Sequence, residues 1–174
     1  KDDYPLLYEP QFLKTIFPLL EKIPLENLFR MLTTSSKEGN TPLHMPQVFI
    51  KILPLLEKMP LEKLVQLFSI HDADGTPPLH CSDNFNVAIP FLEKMPFENL
   101  AQLFSVYDTY GTAPLHYADN FETAIPLLEK MPIEKLVQLL SIQDRAGNTP
   151  LHYEDNFETL LPLQEKMSPE NLVQ

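Results

Sequence analysis

The six residues Gly147-Asn148-Thr149-Pro150-Leu151-His152 occur, with small changes, four times in the chain. GNTPLH also starts at Gly39, GTPPLH at Gly75 and GTAPLH at Gly111, so the copies step by 36 residues and end in His44, His80, His116 and His152. The chain of 174 residues holds no glycine besides these four. A second block keeps the same step: PLLEKIP from Pro18, PLLEKMP from Pro54, PFLEKMP from Pro90, PLLEKMP from Pro126 and PLQEKMS from Pro162. Self-similarity at a fixed period, without an insertion, marks a repeat protein.

Working outward, the full units are 39–74, 75–110 and 111–146. Residues 147–174 form a truncated copy, and 3–38 a divergent first copy in which DYPLLY stands where GNTPLH is expected. The expected organisation is therefore a single repeat array over 1–174. The last copy stops at Asn171-Leu172-Val173-Gln174, where the earlier copies continue with more apolar residues. That gives the expectation of a fragment of a longer chain.

Within a unit the apolar spacing is helical. Phe121, Ala124, Ile125, Leu128 and Met131 recur at i, i+3, i+4, i+7 and i+10, the stripe of a helix that buries one face. Ile133, Leu136, Val137 and Leu140 make a second such stripe. Pro132 between them suits a first helical position, which has no need of an N–H, and Glu134 follows where the helix dipole favours a carboxylate. Asp144-Arg145-Ala146-Gly147 has the composition of a type I turn. Thr149 and Thr41 can cap a short helix beginning at Pro150 and Pro42, although Pro77 and Ala113 replace that threonine in two copies. Pro18, Pro54, Pro90, Pro126 and Pro162 fall midway along the first stripe, where a missing N–H predicts a break or a bend. No unit can bury its stripe alone, so neighbouring units are expected to stack into a common core.

The composition closes several functional classes. With 24 acidic and 13 basic residues the net charge is −11, the wrong sign for neutralising nucleic-acid phosphates or an anionic membrane surface. The most apolar stretch, Val48 to Phe68, is broken by Lys51, Glu57, Lys58, Glu62 and Lys63, so no membrane span is expected. One cysteine, Cys81, excludes an intrachain disulfide framework and fits a reducing compartment. Phosphate-cradling glycine loops, GxSxG and HExxH are all missing, and no cofactor or small-molecule substrate is expected.

The string Asp144-Arg145-Ala146-Gly147-Asn148-Thr149-Pro150-Leu151-His152 resembles the ankyrin repeat. Asp72-Ala73-Asp74-Gly75 and Asp108-Thr109-Tyr110-Gly111 open their units in the same way, and Ser36 takes the aspartate place before Gly39. The period of 36 exceeds the family's usual 33, and no strand-like finger links the second helix to the turn. The resemblance implies an all-α solenoid of about five stacked ankyrin-like repeats with reduced β-hairpin turns. The units are also similar to ankyrin-type repeats in effectors of intracellular bacterial pathogens, which implies action inside a cell, a host cytoplasm included.

Three residue sets invite chemistry. The four TPLH histidines suggest a metal, but ligands must lie about 2.0–2.1 Å from one ion, and equivalent positions should be separated by a whole stacked repeat. The resemblance implies instead that each histidine bonds backbone near its own turn. His80-Cys81 suggests a nucleophile and base, yet Cys81 occupies the slot of Met45, Tyr117 and Tyr153, a packing position. The pairs Glu21-Lys22, Glu57-Lys58, Glu93-Lys94, Glu129-Lys130 and Glu165-Lys166 are expected to solubilise an exposed face. Catalysis is not expected of this segment.

What varies between units points to recognition. The turn tips are Lys37-Glu38, Ala73-Asp74, Thr109-Tyr110 and Arg145-Ala146, each followed beyond the glycine by Asn40, Thr76, Thr112 or Asn148. In ankyrin proteins the matching positions commonly contact partners; drift at exposed turns is the competing explanation. Tyr110 stands out as an aromatic where burial is not demanded. Residues 1–70 are neutral overall while 71–174 carry the whole −11, with Asp83, Asp119 and Asp155 joined by Glu122, Glu154 and Glu158. That row could steer a partner with a basic surface, or Asp119 or Asn120 could simply cap a helix. The expected function is a non-catalytic protein-interaction module that presents turn tips and a helical groove to a protein partner. A targeting arm of a larger enzyme or effector, and a spacer or self-association element, are the alternatives.

Overall fold

The computed structural model describes residues 10–37, 39–153, 156, 159 and 163. DYPLLY, Glu38, Asp155, Glu154, Glu158 and most of the truncated copy lie outside the described residues. The rest is all-helical: α1 (Pro10–Leu20), α2 (Leu25–Thr33), α3 (Pro46–Leu56), α4 (Leu61–Phe68), α5 (Ser82–Leu92), α6 (Phe97–Phe104), α7 (Ala118–Lys130) and α8 (Ile133–Leu140). Four 3-10 turns, Pro42–His44, Pro78–His80, Pro114–His116 and Pro150–His152, carry the PLH triplets. No strand occurs among the described residues, and none of their helices is long and apolar enough to cross a membrane.

The chain divides into two compact units, 1–91 and 92–174, the division falling inside α5. In the first unit, like packs on like: α1 lies against α3, and α2 against α4. In the second, α6 packs on α8, and the 3-10 turn at 114–116 touches the one at 150–152. Each unit thus holds neighbouring repeats in register.

The first apolar stripe lies where the spacing puts it. Phe121, Ala124, Leu128 and Met131 are fully buried and Ile125 nearly so. The same positions in earlier repeats, Phe49, Ile52, Leu56 and Met59, and Phe85 and Ala88, are buried too. Phe49 meets Phe68 of its own repeat at 5.9 Å between ring centroids, and Phe68 meets Phe91 of the next at 6.0 Å. Such tilted pairs add to the area term, which is about 1.5–3 kcal/mol for a buried phenylalanine.

The second stripe needs correcting. Leu136, Leu139 and Leu140 face the core while Val137 is 37% exposed. The inward arc of this eight-residue helix is narrow, and i, i+3, i+4 from Leu136 fills it.

The mid-stripe prolines neither break a helix nor divide a repeat. Pro18, Pro54, Pro90 and Pro126 sit inside α1, α3, α5 and α7, two to four residues before their ends. All four are exposed, and so are Lys14, Ile50, Asn86 and Glu122 four residues earlier. The carbonyl that loses its partner therefore belongs to a residue on the solvent side, where water can replace the bond. The actual division inside each repeat comes after the PLH triplet, where Met45, Cys81, Tyr117 and Tyr153 adopt extended backbone.

Pro132 also shifts by one place. It is the N-cap of α8, at φ −55° and ψ 142°, and its carbonyl accepts from the N–H groups of Lys135 and Leu136 at 3.0 Å each. Pro24, Pro60 and Pro96 do the same for α2, α4 and α6. The fixed φ of proline suits an extended cap as well as a first helical residue.

Candidate partner-binding surface

The turns that open the repeats at Gly75, Gly111 and Gly147 are each wired by one aspartate side chain. Asp144 Oδ1 accepts from the N–H groups of Ala146 (2.8 Å) and Asn148 (2.9 Å), while Gly147 N–H donates to Asp144 O at 3.0 Å. Asp108 Oδ1 holds Tyr110 and Thr112, and Asp72 Oδ1 holds Asp74 and Thr76, at 2.8–3.0 Å. The turn is the one that the Asp-x-x-Gly spacing predicts. Its glycine is at φ +80° in Gly39 and +77° in Gly111, the left-handed region that a side chain resists. A Cβ on Gly39 would also stand 2.7 Å from Ala73 Cβ, and one on Gly111 3.1 Å from the backbone nitrogen of Arg145. Gly39 and Gly111 thus let their turns press against the turns that follow. Arg145 N–H completes the contact by donating to Tyr110 O at 3.2 Å.

The histidines work in both directions. His44 Nδ1 accepts from Thr41 N–H at 3.1 Å and lies 2.9 Å from Thr41 Oγ1. With that nitrogen accepting, Nε2 carries the proton and donates to Ile70 O (3.1 Å) at the end of its own repeat and to Thr76 O (3.0 Å) of the next. His116 repeats the pattern, with Ala113 N–H to Nδ1 at 3.2 Å and Nε2 to Asn148 O at 3.2 Å. Thr41 and Thr149 are the N-caps of the turns that begin at Pro42 and Pro150, as expected; the histidine ring adds a bond back to the cap N–H, one that Ala113 supplies as well as Thr41. Pro77 has no N–H, so that bond cannot form for His80. Bonding near the own turn holds for His44, His116 and His152, whose Nδ1 accepts from Thr149 N–H at 3.0 Å; the reach into the next repeat is additional. Burial pushes the His44 pKa below its ordinary value, outweighing the opposing Asp72 carboxylate and backbone carbonyls.

The capping alternative for Asp119 and Asn120 is overturned. The N-cap of α7 is Tyr117, Asp119 is exposed in the first turn, and Asn120 is fully buried. The equivalent Asn84 donates from Nδ2 to Pro78 O of its own repeat (2.9 Å) and to Leu43 O of the repeat before (3.0 Å). Asn156 does likewise with Pro150 O (2.9 Å) and Leu115 O (3.0 Å). A buried amide that ties two backbones was missed in the sequence, although the recurring Asp-Asn-Phe was its signal. The Glu-Lys pairs also reach across repeats: Glu21 to Lys58 at 3.7 Å and Glu93 to Lys130 at 3.2 Å, with a further Lys63–Glu26 contact. These surface pairs contribute little energy but share the 37-residue offset that stacking imposes.

No family model and no curated protein matches the chain.

With the framework groups thus engaged, the tip side chains are left outward. Lys37, Ala73, Asp74, Thr109, Tyr110, Arg145 and Ala146 are exposed, Tyr110 to 73%. Asn40, Thr76, Thr112 and Asn148 are half-buried, and the carbonyls of Thr76 and Asn148 are taken by the histidines. Within the first unit Gly39 abuts Ala73, and within the second Tyr110 abuts Arg145, so successive tips adjoin. Behind the tips stand Tyr117 and Tyr153, whose hydroxyls donate to Asp108 Oδ2 (3.1 Å) and Asp144 Oδ2 (2.9 Å). Burial and the Asp108 carboxylate push the Tyr117 phenol up to about 12. Its hydrogen bond to Asp144, ahead of burial, raises that of Tyr153. Cys81 fills the same slot, half-buried. Among the described residues no group of three metal-ligating side chains comes together.

Proposed function

We propose that the chain is a divergent ankyrin-like repeat solenoid that binds another protein through its turn tips, without catalysis by this segment, and that it does so inside a cell. The observation that carries the reading is the division of labour at each turn. Glycine and histidine keep the same places in all four copies, and aspartate and asparagine in three of them (Ser36 and Val48 stand in the first), and they engage backbone of their own or the adjoining repeat. The residues between aspartate and glycine change from copy to copy and point outward. Side chains held on a preorganised turn lose little freedom on binding, which favours affinity, and an exposed tyrosine such as Tyr110 is the residue type on which interface energy concentrates.

The test is capture of a partner by the whole chain and by a Tyr110→Ala, Thr109→Ala variant. Neither side chain supports the core, so the thermal melt should stay within about 0.5 kcal/mol of the parent while capture falls roughly tenfold or more, as for loss of an interface anchor. Unchanged capture would remove the tips from the contact surface.

A further inference from the structure

The second unit sets tyrosine rings and carboxylates into a repeated pattern. Tyr117 and Tyr153 occupy one position in successive repeats, 37–38% exposed, each with its hydroxyl spent on an aspartate of its own turn. Tyr117 donates to Asp108, Arg145 N–H beside Asp144 donates to Tyr110 O, and the turns at 114–116 and 150–152 touch, so these groups adjoin. A phenol that donates to a carboxylate is enriched in electrons across its ring, which favours a cation on that ring. Residues 71–174 carry all of the −11 charge, and Arg145 is the one basic side chain at the described turns of this unit.

We propose that this tyrosine–aspartate strip, Tyr110, Tyr117 and Tyr153 with Asp108 and Asp144, receives an extended segment of a partner protein carrying arginine at every third residue. The proposal rests on the protein-binding reading above and names the chemistry of the partner. Its spacing follows from the stack: equivalent positions in packed helical repeats are roughly 8–10 Å apart, and an extended chain in the polyproline II form advances about 3.1 Å per residue with every third side chain on one face. Three residues therefore span one repeat. Arginine fits better than lysine because its planar, weakly hydrated guanidinium can lie flat on a ring. The carboxylates hold and polarise the tyrosines; Asp108 is buried, so the cation meets the ring rather than that carboxylate.

The experiment measures binding of two labelled peptides of identical composition to the intact chain. One has arginine at every third position, the other the same arginines in a single block. The spaced peptide should bind at least ~10-fold more tightly, and its affinity should fall as salt rises. Tyr117→Leu with Tyr153→Leu should abolish that preference. Tyr117→Phe with Tyr153→Phe, which keeps both rings, should retain part of it, and Arg145→Ala should tighten binding of the spaced peptide. Equal affinity for the two peptides, or a preference that survives both leucines in a chain that melts as the parent does, would overturn the proposal. If the tip variant abolishes partner capture while neither peptide binds, this inference fails and the protein-binding reading stands. If the spaced peptide binds but capture ignores the tips, the reverse holds.

Discussion

His44 shows how one residue couples a turn to its neighbour. Its Nδ1 accepts Thr41 N–H only while unprotonated, and burial holds its pKa below 6.5. On acidification the unfolded chain takes up the proton first, so stability falls as pH falls. The contribution is whole above the unfolded value of about 6.5 and drains as pH drops through the folded one. Melting curves between about pH 7 and pH 5 should show the decline, less steeply in His44→Gln. Tyr117 gives the opposite edge. Its folded value of about 12 lies above the ordinary 10.0, so the unfolded chain loses its proton first and stability drains from about pH 10 upward. In an alkaline titration the Tyr117 phenol should ionise well above pH 10, and Tyr117→Phe should remove that late component. The glycines separate two costs. Nothing lies within 4 Å of a Cβ on Gly147, so Gly147→Ala carries only the backbone strain of about 1–2 kcal/mol. Gly39→Ala adds a clash with Ala73 and should cost at least about twice as much by chemical denaturation.

At the scale of elements, the apolar face of a short helix is narrower than periodicity alone suggests. Leu136 is buried and Val137 is not. Leu136→Ala should therefore cost about 2–5 kcal/mol, whereas Val137→Lys should stay within about 0.5 kcal/mol. Equilibrium unfolding of the two variants checks both. The prolines teach a related point. Their period was plain in the sequence, but their effect depends on which side of the helix they occupy. That is a property of the packed repeat, since a carbonyl left open toward water costs far less than one left open in a core. Asp-Asn-Phe was misread for the same reason. Asparagine is a good cap in isolation, and only a neighbouring repeat reveals Leu43 O or Leu115 O as its acceptor. Helix content, turn type and the first core stripe were legible because each is decided within about ten residues. The roles of Asn84, of His44 Nε2 and of Lys58 toward Glu21 were not, because each depends on a partner 26 to 41 positions away.

For the whole molecule, the cross-repeat bonds and the buried stripes make one claim: a repeat has no stable fold without a neighbour. Surface carries the same message as the hydrogen bonds. A 36-residue unit with two helices of 8–13 residues is below the size at which a single core sustains itself, and helices so short are marginal in water. The most direct measurement is far-ultraviolet circular dichroism of residues 75–110 alone beside the full chain, followed through a thermal melt. The account predicts a largely unfolded peptide with no cooperative transition, and a helical full chain that melts cooperatively. A single repeat that is helical by itself and melts cooperatively would contradict it.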